Sequence, residues 1–231
     1  GRVAIVTPDD FDMPAGGLNI RWPDAPLEQE RRLHEFKVYA ALAYARANKL
    51  DGVVFGSDKP RFGIVTAGKS YLDVRQALDD LGIDEAAARD IGLAVYKVAI
   101  VWPLERDGIR RFAEGLEEIL VVEEKRALIE NQLKEQLYHC DASRRPRVVG
   151  KFDENDEWLL PSTGEQSPAM VARVIAARIA RFHTSIQVAD RLAEIDAKER
   201  SLAAAHQIIE RTPYFCSGCP HNTSTKVPEG S

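Results

Sequence analysis

The stretch GIVTAGKSYLDVRQALDDL at residues 63–81 places a short β-branched run directly before a helical pattern. GIVT at 63–66 has the composition of a buried strand, and Tyr71, Val74 and Leu78 then recur at helical spacing on one face. A strand that passes within a few residues into an amphipathic helix is the unit from which parallel sheets are built. We therefore expect this stretch to supply one strand and one crossover helix of an α/β domain.

The same alternation extends on both sides of this stretch. Further strand-like runs, each followed by a helical pattern, are VVF at 53–55, AVYKVAIVW at 94–102 and EILVV at 118–122. Runs that are apolar on both faces, separated by helices of roughly ten to fifteen residues, are typical of a mostly parallel sheet covered on both sides. The predicted fold class is therefore α/β, with right-handed crossovers.

The segment before the sheet is predicted from composition and periodicity. VAIV at 3–6 is strand-like, and the Pro-, Gly- and Asp-rich residues 8–26 form an irregular connector. From Leu27 to about Asn48 apolar residues step by three and four, which predicts a helix that buries one stripe. The stripe consists of Leu33, Phe36, Ala40, Ala43 and Ala47.

The segment after the sheet begins with two short strand-like runs, RVVGKF at 147–152 and EWLLP at 157–161, which predict a β-hairpin appended to the sheet. Ser167 and the proline after it then cap a helix. A second helix, from about Ser185 to Arg211, has apolar residues in a heptad rhythm. This rhythm suits packing across a subunit or domain boundary and equally suits an intramolecular helix hairpin, so both interpretations stay open.

Composition excludes several classes of function. The 231 residues include 31 basic and 36 acidic side chains, for a net charge of -5, so a broad basic face for nucleic acid is not expected. No apolar stretch approaches the roughly 20 residues of a membrane span. Three cysteines cannot form a disulfide scaffold for a chain of this length, which indicates a reducing compartment, and we expect the cytoplasm. The sequence begins without methionine and is expected to be part of a larger polypeptide.

Residues 63–70, GIVTAGKS, match the phosphate-loop pattern GxxxxGK[ST], in which Lys69 would reach a terminal phosphate and Ser70 would hold magnesium. In a phosphate loop the first glycine follows the strand, whereas here the residues between the two glycines are the strand. The alternative is structural: Gly68 permits a turn, Ser70 is the N-cap, and Asp73 completes a capping box. We favour the structural interpretation and retain a weak anion site at this helix N-terminus as a hypothesis.

Glu123 and Glu124 directly follow the strand EILVV, at the edge of the sheet where open α/β folds place their ligands. Two adjacent carboxylates in a first helical turn could act as general bases. Carboxylates at this position also interact favourably with the helix dipole. We favour this structural role over the catalytic one.

CSGCPH at residues 216–221 contains two thiols that can bind one iron or zinc ion, and Gly218 allows the tight turn that this requires. Two ligands do not complete a site, and a site within this chain would need Cys140, His206 or His221 to converge. A thioredoxin-type redox site would need a strand before the motif and a long helix after it. We interpret the motif as half of a metal site. The alternative is a pair of free, buried thiols at a turn.

Six segments together carry a family resemblance. They are PDDFDMPAGGLNIRWPD at 8–24, GIVTAGKSYLDVRQALDDLGID at 63–84, VYKVAIVWPLE at 95–105, GLEEILVVEEKRALIENQLKEQLY at 115–138, PRVVGKFDE at 146–154 and RTPYFCSGCPHNTSTKVPEGS at 211–231. They closely resemble the middle of the fused bacterial indolepyruvate ferredoxin oxidoreductases. That family oxidatively decarboxylates aryl 2-oxo acids with thiamine diphosphate and magnesium, passes electrons through [4Fe-4S] clusters to ferredoxin, and captures the acyl group on coenzyme A.

The resemblance also implies an organisation of the chain. Residues 1–50 would be a connector and helix from a preceding pyrimidine-binding domain, and residues 51–145 would be a domain of the transketolase C-terminal type. Residues 146–210 would be a hairpin and helical linker, and residues 211–231 would begin a thiamine diphosphate-binding domain. The expected partners are the flanking domains, a second copy in a homodimer, and ferredoxin.

Site residues follow from the resemblance by position. Cys216 and Cys219 would be two of the four ligands of the cluster nearest thiamine, and His221 and Asn222 would face the cofactor and substrate pocket. Related pyruvate enzymes continue CxxC with Gly-Glu, whereas this chain has Pro220 before the histidine. No catalytic residue is implied, so we expect a scaffold portion that is inactive alone. The competing hypotheses are a contact module for domain or dimer assembly and a phosphate-loop nucleotide-binding protein.

Overall fold

The computed structural model of the chain describes residues 4–19, 22–205, 214–228 and 230. The chain divides into two compact units, Gly1–Ile195 and Asp196–Ser231. Within the described ranges, no helix is both long enough and apolar enough to span a lipid bilayer.

A single five-stranded sheet organises the first unit. Its strands are β1 Gly52–Gly56, β2 Phe62–Ala67, β3 Leu93–Val98, β4 Glu118–Val122 and β5 Arg147–Val149. They lie in the order β1-β3-β2-β4-β5, and every neighbouring pair is parallel except β1 and β3. The predicted α/β class with a mostly parallel sheet is therefore confirmed. The antiparallel β1 is a departure, because a short loop and not a crossover helix joins it to β2.

Helices precede, connect and follow the strands. They are α1 Pro26–Arg32, α2 Val38–Ala47, α3 Gly68–Asp80, α4 Glu85–Ile91, α5 Arg106–Ala113, α6 Ile129–Leu137, α7 Pro168–Ile179 and α8 Ile186–Ala205, and α9 His221–Ser224 lies in the second unit. At α7 the predicted cap is confirmed, because the Ser167 hydroxyl accepts a hydrogen bond from Met170 N at 3.2 Å.

Two apolar cores cover the two faces of the sheet. Alternate residues of β2 point to opposite cores: Ile64 packs with α3, α4 and α7, while Val65 packs with α5 and α6. β5 and α7 belong to the same sheet and cores as residues 51–145, so the division predicted at 145/146 does not coincide with a gap in packing. In α8, Val188 is buried in the core that contains Ile64, which agrees with intramolecular packing of the first half of this helix.

Of three local predictions about strands, one is wrong and two are confirmed only in part. The described residues 4–6 form no strand, because Val6 exchanges its backbone hydrogen bonds with the Asn48 side chain. The predicted hairpin forms in shortened form. Phe152 and Trp158 pair in an antiparallel bridge, with hydrogen bonds from Asp153 N to Glu157 O and from Leu159 N to Lys151 O beside it, whereas β5 pairs with β4 as a parallel edge strand. The run at 94–102 ends as a strand at Val98, where the chain turns away from the sheet.

The predicted first helix forms, but its buried stripe is partly wrong. A π-helical turn at Leu33–Lys37 joins α1 to α2. A π turn contains one residue more than an α-helical turn and therefore shifts the phase of a stripe. Ala43 is buried as predicted, whereas Leu33 is exposed. The buried residues of α2 are Leu42, Ala43 and Ala45.

A buried ion pair ties α7 to the sheet where β4 begins. Arg178 Nε lies 2.6 Å from Glu118 Oε1, and both side chains are almost completely buried. Arg147 and Glu154 extend the pair into a network, with Arg178 Nη2 3.0 Å from Glu154 Oε2. Burial raises the pKa of the Glu154 carboxyl, but its own backbone amide and Arg178 outweigh this and lower the pKa to about 2. The ionised Glu154 therefore stabilises the fold above its ordinary pKa range, and this stabilisation is lost as the pH falls toward 2.

We expect Arg178→Met to lower the free energy of unfolding by about 3–5 kcal/mol, because it leaves the Glu118 carboxylate buried without its closest partner. The double variant Arg178→Met with Glu118→Gln is expected to recover most of this loss, since no unpaired charge remains. Chemical denaturation of the chain measures both values.

Arg191→Met is the matched control, because Arg191 forms an exposed pair with Glu194. Exposed pairs contribute about 0–1 kcal/mol, so the control should unfold close to the unsubstituted chain. Equal losses for Arg178→Met and Arg191→Met would show that the buried pair does not anchor α7.

Candidate functional site

The carboxyl ends of β2 and β4 form the switch point of the sheet. After β2, α3 packs on one face and leads to β3, whereas after β4, α6 packs on the other face and leads to β5. Neighbouring parallel strands whose helices leave in this way open a crevice that binds ligands in α/β folds. This edge is therefore the candidate site of the first unit.

Lys69, the second residue of α3, reaches across the switch point. Its Nζ lies 3.3 Å from Glu124 Oε1, 3.1 Å from Asp73 Oδ2 and 3.3 Å from Glu165 Oε1, and it donates to the Gln166 carbonyl at 2.7 Å. Desolvation lowers the pKa of Lys69, but the three carboxylates outweigh it and raise the pKa above its ordinary value. An anion that approached this ammonium would meet three negative charges, which disfavours the predicted weak anion site.

The phosphate-loop interpretation of residues 63–70 is disfavoured by the position of Gly63 in the sheet. Gly63 lies inside β2, and a Cβ at this position would come 2.7 Å from a methyl carbon of Leu116 and 2.8 Å from the Phe112 ring. The glycine thus permits close packing of a helix on the sheet and does not form a loop around a ligand. Gly68 has φ +54°, as the predicted turn requires.

The capping box predicted for α3 is wrong. The helix begins at Gly68, its N-cap is Ala67, and no side chain caps it. Ser70 is therefore a buried residue of the first turn, and Asp73 pairs with Lys69. The sequence places the N-cap three residues too late, because Ser70 and Asp73 have the spacing of a capping box.

Glu123 and Glu124 take the structural roles that the sequence favours. Both Glu123 carboxylate oxygens accept backbone hydrogen bonds at the start of α6, from Ile129 N at 2.9 Å and Glu130 N at 3.0 Å. Glu124 Oε1 accepts from Gln166 N at 3.2 Å. This bond and the Lys69 ammonium hold the pKa of Glu124 below its ordinary value. A carboxylate held ionised by two donors is a poor general base.

Residues 161–166, here called the strap, cross this edge between the end of the Phe152–Trp158 bridge and α7. Three lysines, one after each of three strands, donate to its backbone carbonyls. They are Lys69 to Gln166 O, Lys125 to Gly164 O and Lys151 to Pro161 O. The strap therefore closes the half of the edge formed by β2, β4 and β5.

Lys151 is the most buried of the three lysines. Its Nζ donates to Glu123 O and to Pro161 O, the latter at 3.3 Å. Desolvation lowers the pKa of Lys151 below its ordinary value, although Glu123, Glu130 and Glu124 oppose the shift. Gln166 completes the closure, since its Nε2 donates to Glu123 O at 3.0 Å.

Sequence reasoning missed this closure. Lys151 falls in the run RVVGKF, which predicts a strand of the hairpin, and Gln166 belongs to no motif. The signal available in the sequence was a lysine beside the end of each of three strands, at 69, 125 and 151. Lysines at one edge of a sheet indicate either an anion site or a set of carbonyl acceptors, and only the path of the strap distinguishes the two.

The second unit brings the predicted metal and cofactor residues into one turn. Cys219 N donates to Cys216 O at 3.0 Å, with Gly218 at φ +82° between them. Cys219 Sγ lies 3.2 Å from His221 Nδ1. Asn222 Nδ2 donates to Cys216 O at 2.9 Å and fixes the turn.

The thiols of this turn do not match the alternative of a buried pair. Cys216 is exposed and Cys219 is half-buried, and both are free. Cys140 lies in the first unit, just after α6, and His206 lies outside the described residues. In the part of the chain that the structure describes, no three His, Cys, Asp or Glu side chains are grouped so as to hold a metal ion.

Comparison with known proteins identifies relatives that match most of the chain. A family model described as the indolepyruvate ferredoxin oxidoreductase middle domain matches residues 51–205. The indolepyruvate oxidoreductase subunit IorA of Thermococcus kodakarensis is 30% identical over 170 residues, covering 73% of this chain and 23% of the relative. IorA of Methanothermobacter marburgensis is 29% identical over 177 residues, covering 77% and 24%. The chain thus spans about a quarter of the length of these curated relatives.

Two solved structures are also similar. A split-gene transketolase described as an inactive β4 tetramer matches with a TM-score of 0.39 and 18% identity, over 57% of this chain and 41% of its own. A 2-oxoglutarate:ferredoxin oxidoreductase from Magnetococcus marinus, with 2-oxoglutarate, coenzyme A and succinyl-CoA bound, has a TM-score of 0.39 and 15% identity, over 73% and 26%.

We expect Lys151→Met to release the strap, because methionine fills a similar volume but donates nothing to the two carbonyls. Glu123 O keeps the Gln166 Nε2 donor, but Pro161 O loses the Lys151 donor, and a buried carbonyl left unpaired costs about 1–3 kcal/mol. Hydrogen exchange of the Gln166 amide, measured by NMR or mass spectrometry, should accelerate about tenfold or more. Lys59→Met, at an exposed lysine between β1 and β2, should leave this exchange rate unchanged.

The pH dependence gives a second readout of Lys151. Its pKa is lower in the folded than in the unfolded chain, so the unfolded chain binds more protons between these two pKa values. The free energy of unfolding should therefore rise with pH across that window, and the rise should be absent in Lys151→Met. Parallel pH profiles for the two proteins would contradict the burial of this ammonium.

Proposed function

Since the chain belongs to the indolepyruvate ferredoxin oxidoreductase middle-domain family, we propose that it is a non-catalytic scaffold of an aryl 2-oxo acid:ferredoxin oxidoreductase. The observation that carries this proposal is the family match over residues 51–205. In the parent enzyme the scaffold supports the thiamine diphosphate site and the electron path. The parent would oxidatively decarboxylate indolepyruvate or a similar aryl 2-oxo acid to its acyl-CoA.

The chemistry of the switch point supports a structural role for the first unit. Lys69 is bonded to carboxylates, Glu123 caps α6, and Lys151 is bonded to two carbonyls, so these side chains are committed to internal contacts. A general base or an electrophile needs a proton or lone pair that faces a substrate. Turnover of an aryl 2-oxo acid by residues 1–231 alone would contradict the proposal.

Cys216 and Cys219 are proposed as two of the four ligands of a [4Fe-4S] cluster. Their turn fits this role, because the two thiols are free, at least partly accessible and separated by a glycine in the left-handed conformation. The remaining ligands would come from residues beyond this chain. When bound, the cluster would accept electrons one at a time and pass them toward ferredoxin.

His221 and Asn222 are proposed to face the cofactor and substrate pocket of the parent. The Asn222 amide holds the CxxC turn through Cys216 O. The His221 ring stacks on Phe215 with centroids 5.1 Å apart. These contacts fix the conformation of the turn. In the parent, other domains would supply thiamine diphosphate and magnesium, and we propose that the turn faces them.

The wider setting follows from the same proposal. Residues 1–50 would connect to a pyrimidine-binding domain, residues 51–145 and 146–210 would form the scaffold and its linker, and residues 211–231 would open the diphosphate-binding domain. The parent would be a cytoplasmic homodimer that uses coenzyme A as acyl acceptor and ferredoxin as electron acceptor. Dimer and domain contacts would then be made around this unit.

We expect Cys216→Ser or Cys219→Ser in the full-length parent to remove one cluster, a loss of about four iron atoms and four sulfides per polypeptide. Iron and acid-labile sulfide assays of the purified protein measure this loss. Electron paramagnetic resonance of the reduced protein should show the matching loss of one signal.

Cys140→Ser is the matched control, because Cys140 is a free cysteine of the first unit, packed beside α6. It should leave iron and sulfide unchanged. The ligand assignment is refuted if both Cys216→Ser and Cys219→Ser retain the full cluster content.

A further inference from the structure

The open half of the carboxyl edge carries an apolar patch that the strap does not reach. It consists of Val6, Leu50, Val101, Trp102 and Leu128, which are between 38% and 56% exposed. Because β1 runs antiparallel to β3, Leu50 precedes β1 at the same edge where Val101 and Trp102 follow β3. Exposed large apolar side chains that lie together on one edge indicate a contact surface.

Hydrogen bonds join the members of the patch into one rigid surface. Gln132 Nε2 donates to Val101 O at 2.9 Å and to Leu128 O at 3.0 Å, so one α6 side chain holds both loops. Asp51 Oδ1 accepts from Ala99 N at 2.7 Å and holds the residue after Leu50 against the loop of Trp102. A contact surface fixed in advance loses little conformational entropy when a partner covers it.

The incoming polypeptide reaches the molecule beside this patch. Val6 exchanges backbone hydrogen bonds with the Asn48 side chain, two residues before Leu50. Asp10 Oδ2 accepts from Arg46 Nε at 2.8 Å, and Arg46 also binds Glu105, which follows the Trp102 loop. A folded domain on the N-terminal side of Val6 would therefore emerge against the patch.

We propose that this patch is the surface on which the preceding domain of the parent polypeptide packs. The inference rests on the proposed function, in which a middle domain has neighbours in a chain about four times as long. The strap closes one half of the edge by polar bonds within the unit, and the apolar half is covered by a neighbour. An exposed tryptophan on a rigid loop is the kind of residue that anchors such a contact.

Photo-cross-linking in the full-length parent tests this contact. Trp102→p-benzoylphenylalanine places the photoreactive group on the patch, and Leu128→p-benzoylphenylalanine provides a second position if the first variant folds poorly. We expect cross-links within one polypeptide, mapped by mass spectrometry to residues that precede Gly1. Trp158→p-benzoylphenylalanine is the control, because Trp158 is 62% exposed, close to the 56% of Trp102, but lies outside the patch. It should give no cross-link to the preceding domain.

Three outcomes would overturn the proposal. Cross-links to the domain that follows Ser231 assign the patch to a different neighbour. A product of doubled mass on a denaturing gel would show that a second copy covers the patch. Reaction with solvent alone would show that no protein covers the patch. The iron content of the unsubstituted parent is measured in the same preparation, so failure of the proposed function is distinguished from failure of this contact.

Discussion

Three lysine ammonium groups that bind the carbonyls of one strap determine what the first unit can do. Lys69, Lys125 and Lys151 each stand beside the carboxyl end of a different parallel strand, where an α/β fold would otherwise hold a ligand. Each ammonium group donates a hydrogen bond to a backbone carbonyl of the strap. The usual ligand edge of the fold is thereby turned into an internal joint between the sheet and α7.

The lysine charges of the joint are paired or hydrogen-bonded within the unit. Around Lys69, the carboxylates of Asp73, Glu124 and Glu165 leave no unbalanced positive charge to attract a phosphate. Around Lys151, burial disfavours the ammonium, and the two carbonyl acceptors offset part of that cost. A site that has to bind and release a charged substrate needs a free charge. At this edge the lysine charges are paired with groups of the same unit, which agrees with the proposed scaffold role.

The parts predicted correctly from the sequence are those governed by local pattern. Apolar runs such as EILVV predict buried strands, and the cap at Ser167 is readable because its hydrogen bond spans three residues. The parallel place of β5 and the path of the strap depend on pairing between distant residues, which periodicity does not encode. The π turn at Leu33–Lys37 is also not encoded in the apolar spacing. It changes which residues of the helix are buried, so that Leu33 is exposed although the spacing predicts it to be buried.

The two halves of the carboxyl edge differ in the way that a middle domain requires. Where the strap crosses, the three lysines, Glu123 and Glu124 make their polar contacts within the unit, although the buried Gln166 Oε1 and Thr66 Oγ1 have no hydrogen-bond partner there. Where Trp102 and its neighbours lie, apolar surface is presented on loops that Gln132 and Asp51 hold rigid. Holding apolar side chains in water gains nothing for an isolated unit, whereas covering them stabilises an assembly by about 25 cal/mol for each Å² removed from water. The edge that would bind a small ligand in an independent α/β protein thus becomes, in this chain, one closed joint and one face for a neighbouring domain.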